Sequence, residues 1–264
     1  MWGRGQGEGA AAAHSVFFRS CNSARFIDCL AGGHTPSPLP LPHMRGGEGE
    51  AQFASMTPLF ITFEGGEGSG KSTQIKRLAA RLEAQGRKVL VTREPGGTPE
   101  AEAVRSLLVS GDVARWTAKS EALLNYAARE QHLEQVIRPA LARGETVLCD
   151  RFMDSTRAYQ GHAGGCDPAF IDALETAVVG GTRPALTLIF DIDPAVGLAR
   201  ARQRGDALAE DRYERKGLAF HTSLRDGFLD ILRRNPKRCR LIDAAQDVGR
   251  VEEDVWSIVS GALA

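Results

Sequence analysis

The sequence predicts an α/β fold, an open five-stranded parallel sheet with helices on both faces, and three observations support this. Short apolar runs alternate with longer amphipathic stretches from Leu59 onward. A glycine-rich loop stands between the first run and the first amphipathic stretch. The 264 residues, 42% hydrophobic and 25% charged, hold enough apolar material for one sizeable core.

The runs are Leu59-Phe60-Ile61-Thr62-Phe63, Val89-Leu90-Val91, Thr146-Val147-Leu148-Cys149, Leu186-Thr187-Leu188-Ile189-Phe190 and Arg240-Leu241-Ile242. They read as buried parallel strands, since a strand covered on both faces needs no polar alternation. Between the first two, Ile75, Leu78, Ala79 and Leu82 recur on one helical face and Gly86 marks its stop, which makes a βαβ unit. Helical stretches over residues 121–141, 194–204 and 218–232 fill the later gaps. In such folds ligands bind at the carboxyl ends of the strands.

Residues 1–55 are rich in Gly, Ala, Ser and Pro and lack a sustained period, so a disordered N-terminal extension is expected, with the domain over residues 56–264. A targeting role is the alternative for this extension, given Arg4, Arg19 and Arg25, but neither an amphipathic basic helix nor an apolar signal core accompanies them. Thirty-three basic residues balance thirty-three acidic ones, so no global field draws the chain to nucleic acid or an acidic membrane. No membrane-length apolar stretch is present, and the five scattered cysteines form no Cys-x-x-Cys pair, which points to a cytoplasmic, reducing setting.

The strongest local signal is Gly65-Gly66-Glu67-Gly68-Ser69-Gly70-Lys71-Ser72, a full G-x-x-x-x-G-K-[ST] match between a strand and a helix, with Thr73 following. Such a loop wraps backbone N–H groups around phosphates, Lys71 supplies a point charge, and the Ser72 hydroxyl suits Mg²⁺. ATP with Mg²⁺ is therefore the expected donor, and the fold is expected to be that of the P-loop NTPases. No Asn-Lys-x-Asp guanine-reading element occurs, and the neutral charge argues against a DNA-dependent motor, which leaves a small phosphotransferase. The third strand ends in Asp150-Arg151, an aspartate for the metal's hydration shell and an arginine for an incoming phosphate.

Phe63-Glu64-Gly65-Gly66-Glu67, Arg93-Glu94-Pro95-Gly96-Gly97-Thr98, Tyr126-Ala127-Ala128-Arg129, Asp150-Arg151-Phe152 and Ala158-Tyr159-Gln160-Gly161 occur in the order and spacing of bacterial thymidylate kinases, which the chain resembles from about Leu59 to its C-terminus. The resemblance implies transfer of the terminal phosphoryl group of ATP to dTMP, and a homodimer. It implies that Glu67 faces the acceptor sugar, that Arg129 donates to the thymine carbonyl and that Arg151 holds the acceptor phosphate. It also implies that Thr156, Tyr159 and Gln160 read the far edge of the base and exclude a ribose, and that Arg93 lies on the cleft floor. Where relatives place a base-stacking phenylalanine this chain has Asn125, which shares a helical face with Arg129, so Phe152 becomes the alternative platform. Arg200, Arg202, Arg204, Arg212 and Arg215 surround Gly205 and suggest a lid that closes on ATP; the resemblance implies a catalytic arginine in this segment, and Arg200 and Arg204, which share a helical face, are favoured over Arg202 for that role. Two other readings stay open, a kinase for a different nucleoside monophosphate and a nucleotide-binding protein without turnover.

Overall fold

The computed structural model describes residues 57–203 and 212–263; the expectations for residues 1–55 and for Arg204 lie outside the described residues. Five parallel strands, β1 Phe60–Gly65, β2 Val89–Arg93, β3 Thr146–Asp150, β4 Leu186–Asp191 and β5 Cys239–Asp243, form one sheet in the order β2-β3-β1-β4-β5. All five lie where the apolar runs predict them. The register pairs Phe63 with Asp150 and Gly65 with Phe190, which brings the ends of β1, β3 and β4 to one edge.

The central strand β1 is buried throughout, and its period of two feeds two cores. Ile61 and Phe63 pack with Leu148, Leu188 and Phe190 of the sheet against helix α1 (Lys71–Glu83) and the C-terminal helix Val248–Leu263. Phe60 packs on the other side with Tyr126, Leu133, Ile137 and Phe152. The polar Thr62 is tolerated because its hydroxyl pairs with that of Thr187 on β4 at 2.8 Å. The outer strands differ from the expectation of full burial. Val91 on β2 and Leu241 on β5 are exposed, because each strand has a neighbour on one side only.

The remaining elements are α2 Pro99–Val109, α3 Ala118–His132, α4 Arg138–Ala142, α5 Met153–Thr156, α6 Pro168–Val178, α7 Pro194–Gln203, α8 Leu218–Arg234 and α9 Val248–Leu263. Thr98 and Thr117 cap α2 and α3 by accepting from the N–H groups of Ala101 and Ser120. The long helix expected over residues 121–141 is interrupted by a π-turn at Leu133–Ile137. Pro139 has no N–H to return to residue 135, and the widened turn accommodates that missing rung. A second π-helical segment, Arg157–Ala163, continues α5 at the carboxyl edge of the sheet and carries Tyr159 and Gln160.

Candidate active site

The phosphate loop leaves β1 at Gly65, with φ +131°, where a Cβ would stand 2.4 Å from the Phe190 carbonyl oxygen. Gly68, with φ +65°, touches α7 so closely that a Cβ would lie 2.0 Å from the Gly197 oxygen. Only glycine fits either place. Lys71 opens α1 and is buried; its Nζ donates to Gly65 O at 3.1 Å, Gly66 O at 2.8 Å and Ser69 Oγ at 3.1 Å. Burial, then the nearby Arg151, push its pKa down to about 8, although Asp150 and Glu67 oppose them. Ser72 Oγ donates to Asp150 Oδ2 at 2.7 Å. Two hard oxygens thus meet beside a cleft of about 200 Å³ lined by Gly68, Ser69, Gly70, Lys71, Ser72 and Asp150.

A second cavity, about 120 Å³, adjoins this cleft and shares Glu67, Glu94, Arg105 and Arg151 with it. Arg151 forms the partition. Its Nη2 donates to Glu67 Oε1 at 2.9 Å and its Nη1 to Gly65 O at 2.9 Å, while the guanidinium lies 5.0 Å from the Tyr159 ring. The Tyr159 hydroxyl donates to the same Glu67 oxygen at 2.6 Å. Burial alone would raise the Glu67 carboxyl, but Arg151, Lys71 and the Tyr159 hydroxyl hold it at about 2. Arg151 also has φ +68°, a left-handed conformation that costs a residue with a Cβ about 1–3 kcal/mol and that clusters at functional sites.

The cavity's far wall is built around Arg129, 2% exposed. Glu94 accepts from its Nε at 2.7 Å and also faces His132 Nδ1 at 3.0 Å, while Arg129 Nη1 donates to Thr156 Oγ1 at 3.2 Å. The guanidinium lies between the rings of Tyr126 and Phe152, at 4.6 and 5.1 Å. Burial works against that charge, yet Glu94 more than compensates and raises its pKa. Asn125, Thr156, Tyr159, Gln160 and Phe152 line the same cavity, and Tyr126 is turned into the core. Asn125 Nδ2 donates to Glu121 O at 2.8 Å, so its side chain is held along its own helix. Gln160 Nε2 donates to Glu121 Oε2 at 2.8 Å.

A cavity lined by polar and aromatic side chains therefore opens past an arginine partition onto the glycine-rich loop. Comparison with known proteins agrees with that arrangement. The thymidylate kinase family model matches residues 63–255, well over half of the chain. The chain belongs to the thymidylate kinase family. It is 58% identical over 200 residues to the thymidylate kinase of Caulobacter vibrioides, covering 76% of this chain and 95% of that protein. It is 57% identical over 206 residues to the thymidylate kinase of Afipia carboxidovorans, covering 78% and 90%. The solved thymidylate kinase of Ehrlichia chaffeensis superposes with a TM-score of 0.62 at 36% identity, covering 76% of this chain and 98% of that one. The P-loop NTPase fold follows from this likeness and from the parallel sheet.

For a thymidylate kinase family member, two arginines, Arg200 and Arg212, are placed differently from what the sequence implies. Arg200 does not line either cavity; its Nη1 donates to Ala244 O at 2.9 Å, because the last turn of α7 lies beside the loop that follows β5. Arg212, expected in a lid, is fully buried and donates to Leu108 O, Asp112 O, Val113 O and the buried Glu121. A buried carboxylate needs a cation, and Arg212 supplies it. Arg93 lines the cleft beside the glycine-rich loop, as expected for its floor, half-exposed and paired with Glu102 at 3.1 Å, and does not reach the cavity around Arg129. Glu94, Arg105, Ser155, Tyr213 and Glu214 line that cavity without having been singled out. Glu94 sits beside Arg93 in a shared motif, and Tyr213 and Glu214 lie between Arg212 and Arg215 in the segment expected to form the lid.

Proposed function

We propose that this chain transfers the terminal phosphoryl group of ATP to dTMP, with dTMP in the cavity around Arg129 and the ATP phosphates on the loop at residues 65–72. The observation that carries the proposal is the partition. Arg151, held by Glu67 and Tyr159, belongs to both spaces at once, so one guanidinium serves the acceptor phosphate next to the transferring group. An oxygen of the dTMP phosphate attacks the γ phosphorus, the bond to the bridging oxygen of ADP breaks with its electron pair on ADP, and dTDP leaves. The acceptor is already anionic, so positioning and charge stabilisation carry the rate. Lys71 exchanges loop carbonyls for β and γ phosphate oxygens.

Ser72 and Asp150 fit a hard divalent cation: both offer oxygen, 2.7 Å apart, at the cleft. Among the described residues no group of three His, Cys, Asp or Glu forms a cage, as suits a Mg²⁺ held chiefly by nucleotide and water. When bound, Mg²⁺ supplies charge for the β and γ oxygens. Arg129 is assigned to the thymine carbonyl, Thr156 and Gln160 to the far edge of the base, and Asn125 to its flank. Tyr159, occupying the space beside Glu67, is assigned to exclusion of a 2′-hydroxyl. A homodimer is proposed from the family, and the exposed Leu107 and Leu123 on α2 and α3 are suited to a partner. A cytoplasmic setting agrees with the free, buried Cys149, Cys166 and Cys239 and with the absence of a membrane-length apolar helix among the described residues.

Coupled ADP release with a panel of nucleoside monophosphates tests this directly. Turnover should be highest with dTMP. An arginine facing the cytosine amino group would leave donors unpaired at about 1–3 kcal/mol, so equal kcat/KM for dTMP and dCMP would overturn the base assignment.

A further inference from the structure

Arg151 is the only residue other than glycine with a positive φ among the described residues, and it stands at the junction of the two cavities. Its conformation must therefore be imposed by its surroundings. Much of the imposing comes from β1. Glu64, fully buried, projects Oε1 to the Phe152 N–H at 2.8 Å and the Ser155 N–H at 3.3 Å, and its Oε2 accepts from Ser155 Oγ at 2.6 Å. Ser155 Oγ in turn accepts from Arg151 Nη1 at 3.3 Å. Phe152 at the start of α5 has no side-chain oxygen, so a carboxyl group from a strand 88 residues earlier, its pKa pushed up to about 8 by burial and by Asp154, does what a local cap would do. That fixes the peptide on the far side of Arg151, while Arg151 N–H donates to Phe63 O at 2.9 Å on the near side. Glu64 itself lines neither cavity.

We propose that Glu64 is a positioning residue for the acceptor phosphate: by holding Phe152 and Ser155 it fixes the left-handed turn and guanidinium of Arg151. This rests on the reading that Arg151 binds that phosphate. Because Glu64 acts through Arg151, its loss should appear in the acceptor's KM and should vanish once Arg151 is gone.

The test is steady-state kinetics of the full chain with dTMP and ATP varied separately. Glu64→Asp keeps a buried carboxyl group but draws it back from Phe152; it should raise the KM for dTMP on the order of tenfold and leave the KM for ATP within about twofold. Glu64→Gln keeps an oxygen on the two N–H groups and should restore the dTMP KM to within about threefold of wild type. Combined with Arg151→Ala, the aspartate variant should add nothing further. A wild-type dTMP KM in Glu64→Asp, an equal rise in both KM values, or full multiplication onto Arg151→Ala would overturn the inference. Should Glu64→Asp not fold, Ser155→Ala removes the hydroxyl between Glu64 and Arg151, and a wild-type dTMP KM there is equally fatal. If Arg151→Ala itself leaves the dTMP KM unchanged, the phosphate assignment of Arg151 has failed instead.

Discussion

The two halves of the cleft are organised differently. In the cavity around Arg129 two cations are held by carboxylates of the chain itself: Arg129 by Glu94 at 2.7 Å and Arg151 by Glu67 at 2.9 Å. On the donor side Lys71 rests only on neutral groups, two loop carbonyls and the Ser69 hydroxyl. A cation paired with a carboxylate stays in place without a ligand, and where that carboxylate is buried, as Glu94 is, loss of the cation strands a charge. A lysine on neutral oxygens gives them up when phosphate arrives. On the function proposed above, one half is preformed and the other is completed by its substrate.

If that contrast is right, acceptor-side changes should move stability and dTMP binding together, while donor-side changes should move kcat alone. The largest stability loss is expected for Arg129→Ala, about 3–5 kcal/mol, because Glu94 is left buried with His132 as its remaining partner. Chemical denaturation gives the number, and a loss below about 1 kcal/mol would remove the distinction. Lys71→Ala should instead lower kcat by about 10²–10³-fold, while the free enzyme melts no earlier than wild type because a desolvated charge has gone.

Glu67 lets the contrast be titrated. Its pKa falls from the usual 4.5 to about 2 on folding, so its stabilisation is fully present above about pH 4.5 and is lost as pH drops toward 2. Glu67→Gln should therefore cost about 2–3 kcal/mol at neutral pH and nothing near pH 2. Parallel melting curves of the two proteins across that range would contradict the pairing with Arg151. The smallest change is expected for Tyr126→Phe. The Tyr126 hydroxyl is buried without a partner and burial raises its pKa to about 12, so removing it should be neutral or stabilising by up to about 1 kcal/mol. A clear drop in melting temperature would show that the hydroxyl has a role in the core.

The strands and the phosphate loop were legible in the sequence because their signals are local. A run such as Leu186–Phe190 shows its burial within five residues, and the loop shows its glycine spacing within eight. The charge pairs were not legible, because Glu94 meets Arg129 across 35 positions and Arg212 meets Glu121 across 91. Periodicity assigns a residue to a face and cannot say which carboxylate waits opposite. Arg200 illustrates the limit. Helical spacing set it one turn from Arg204, but the carbonyl that takes its guanidinium belongs to a loop after β5.

The contact between Gly68 and Gly197 gives the phosphate loop a mechanical neighbour. At Gly197 a single methyl would press 2.5 Å from the Glu67 oxygen, and at Gly68 one would press 2.0 Å from the Gly197 oxygen. The two backbones are geared together with no side chain between them to absorb slip. A displacement of α7 must then be felt at the tip of the loop, so the pitch and seating of this outer helix help to set the shape of the phosphate cradle.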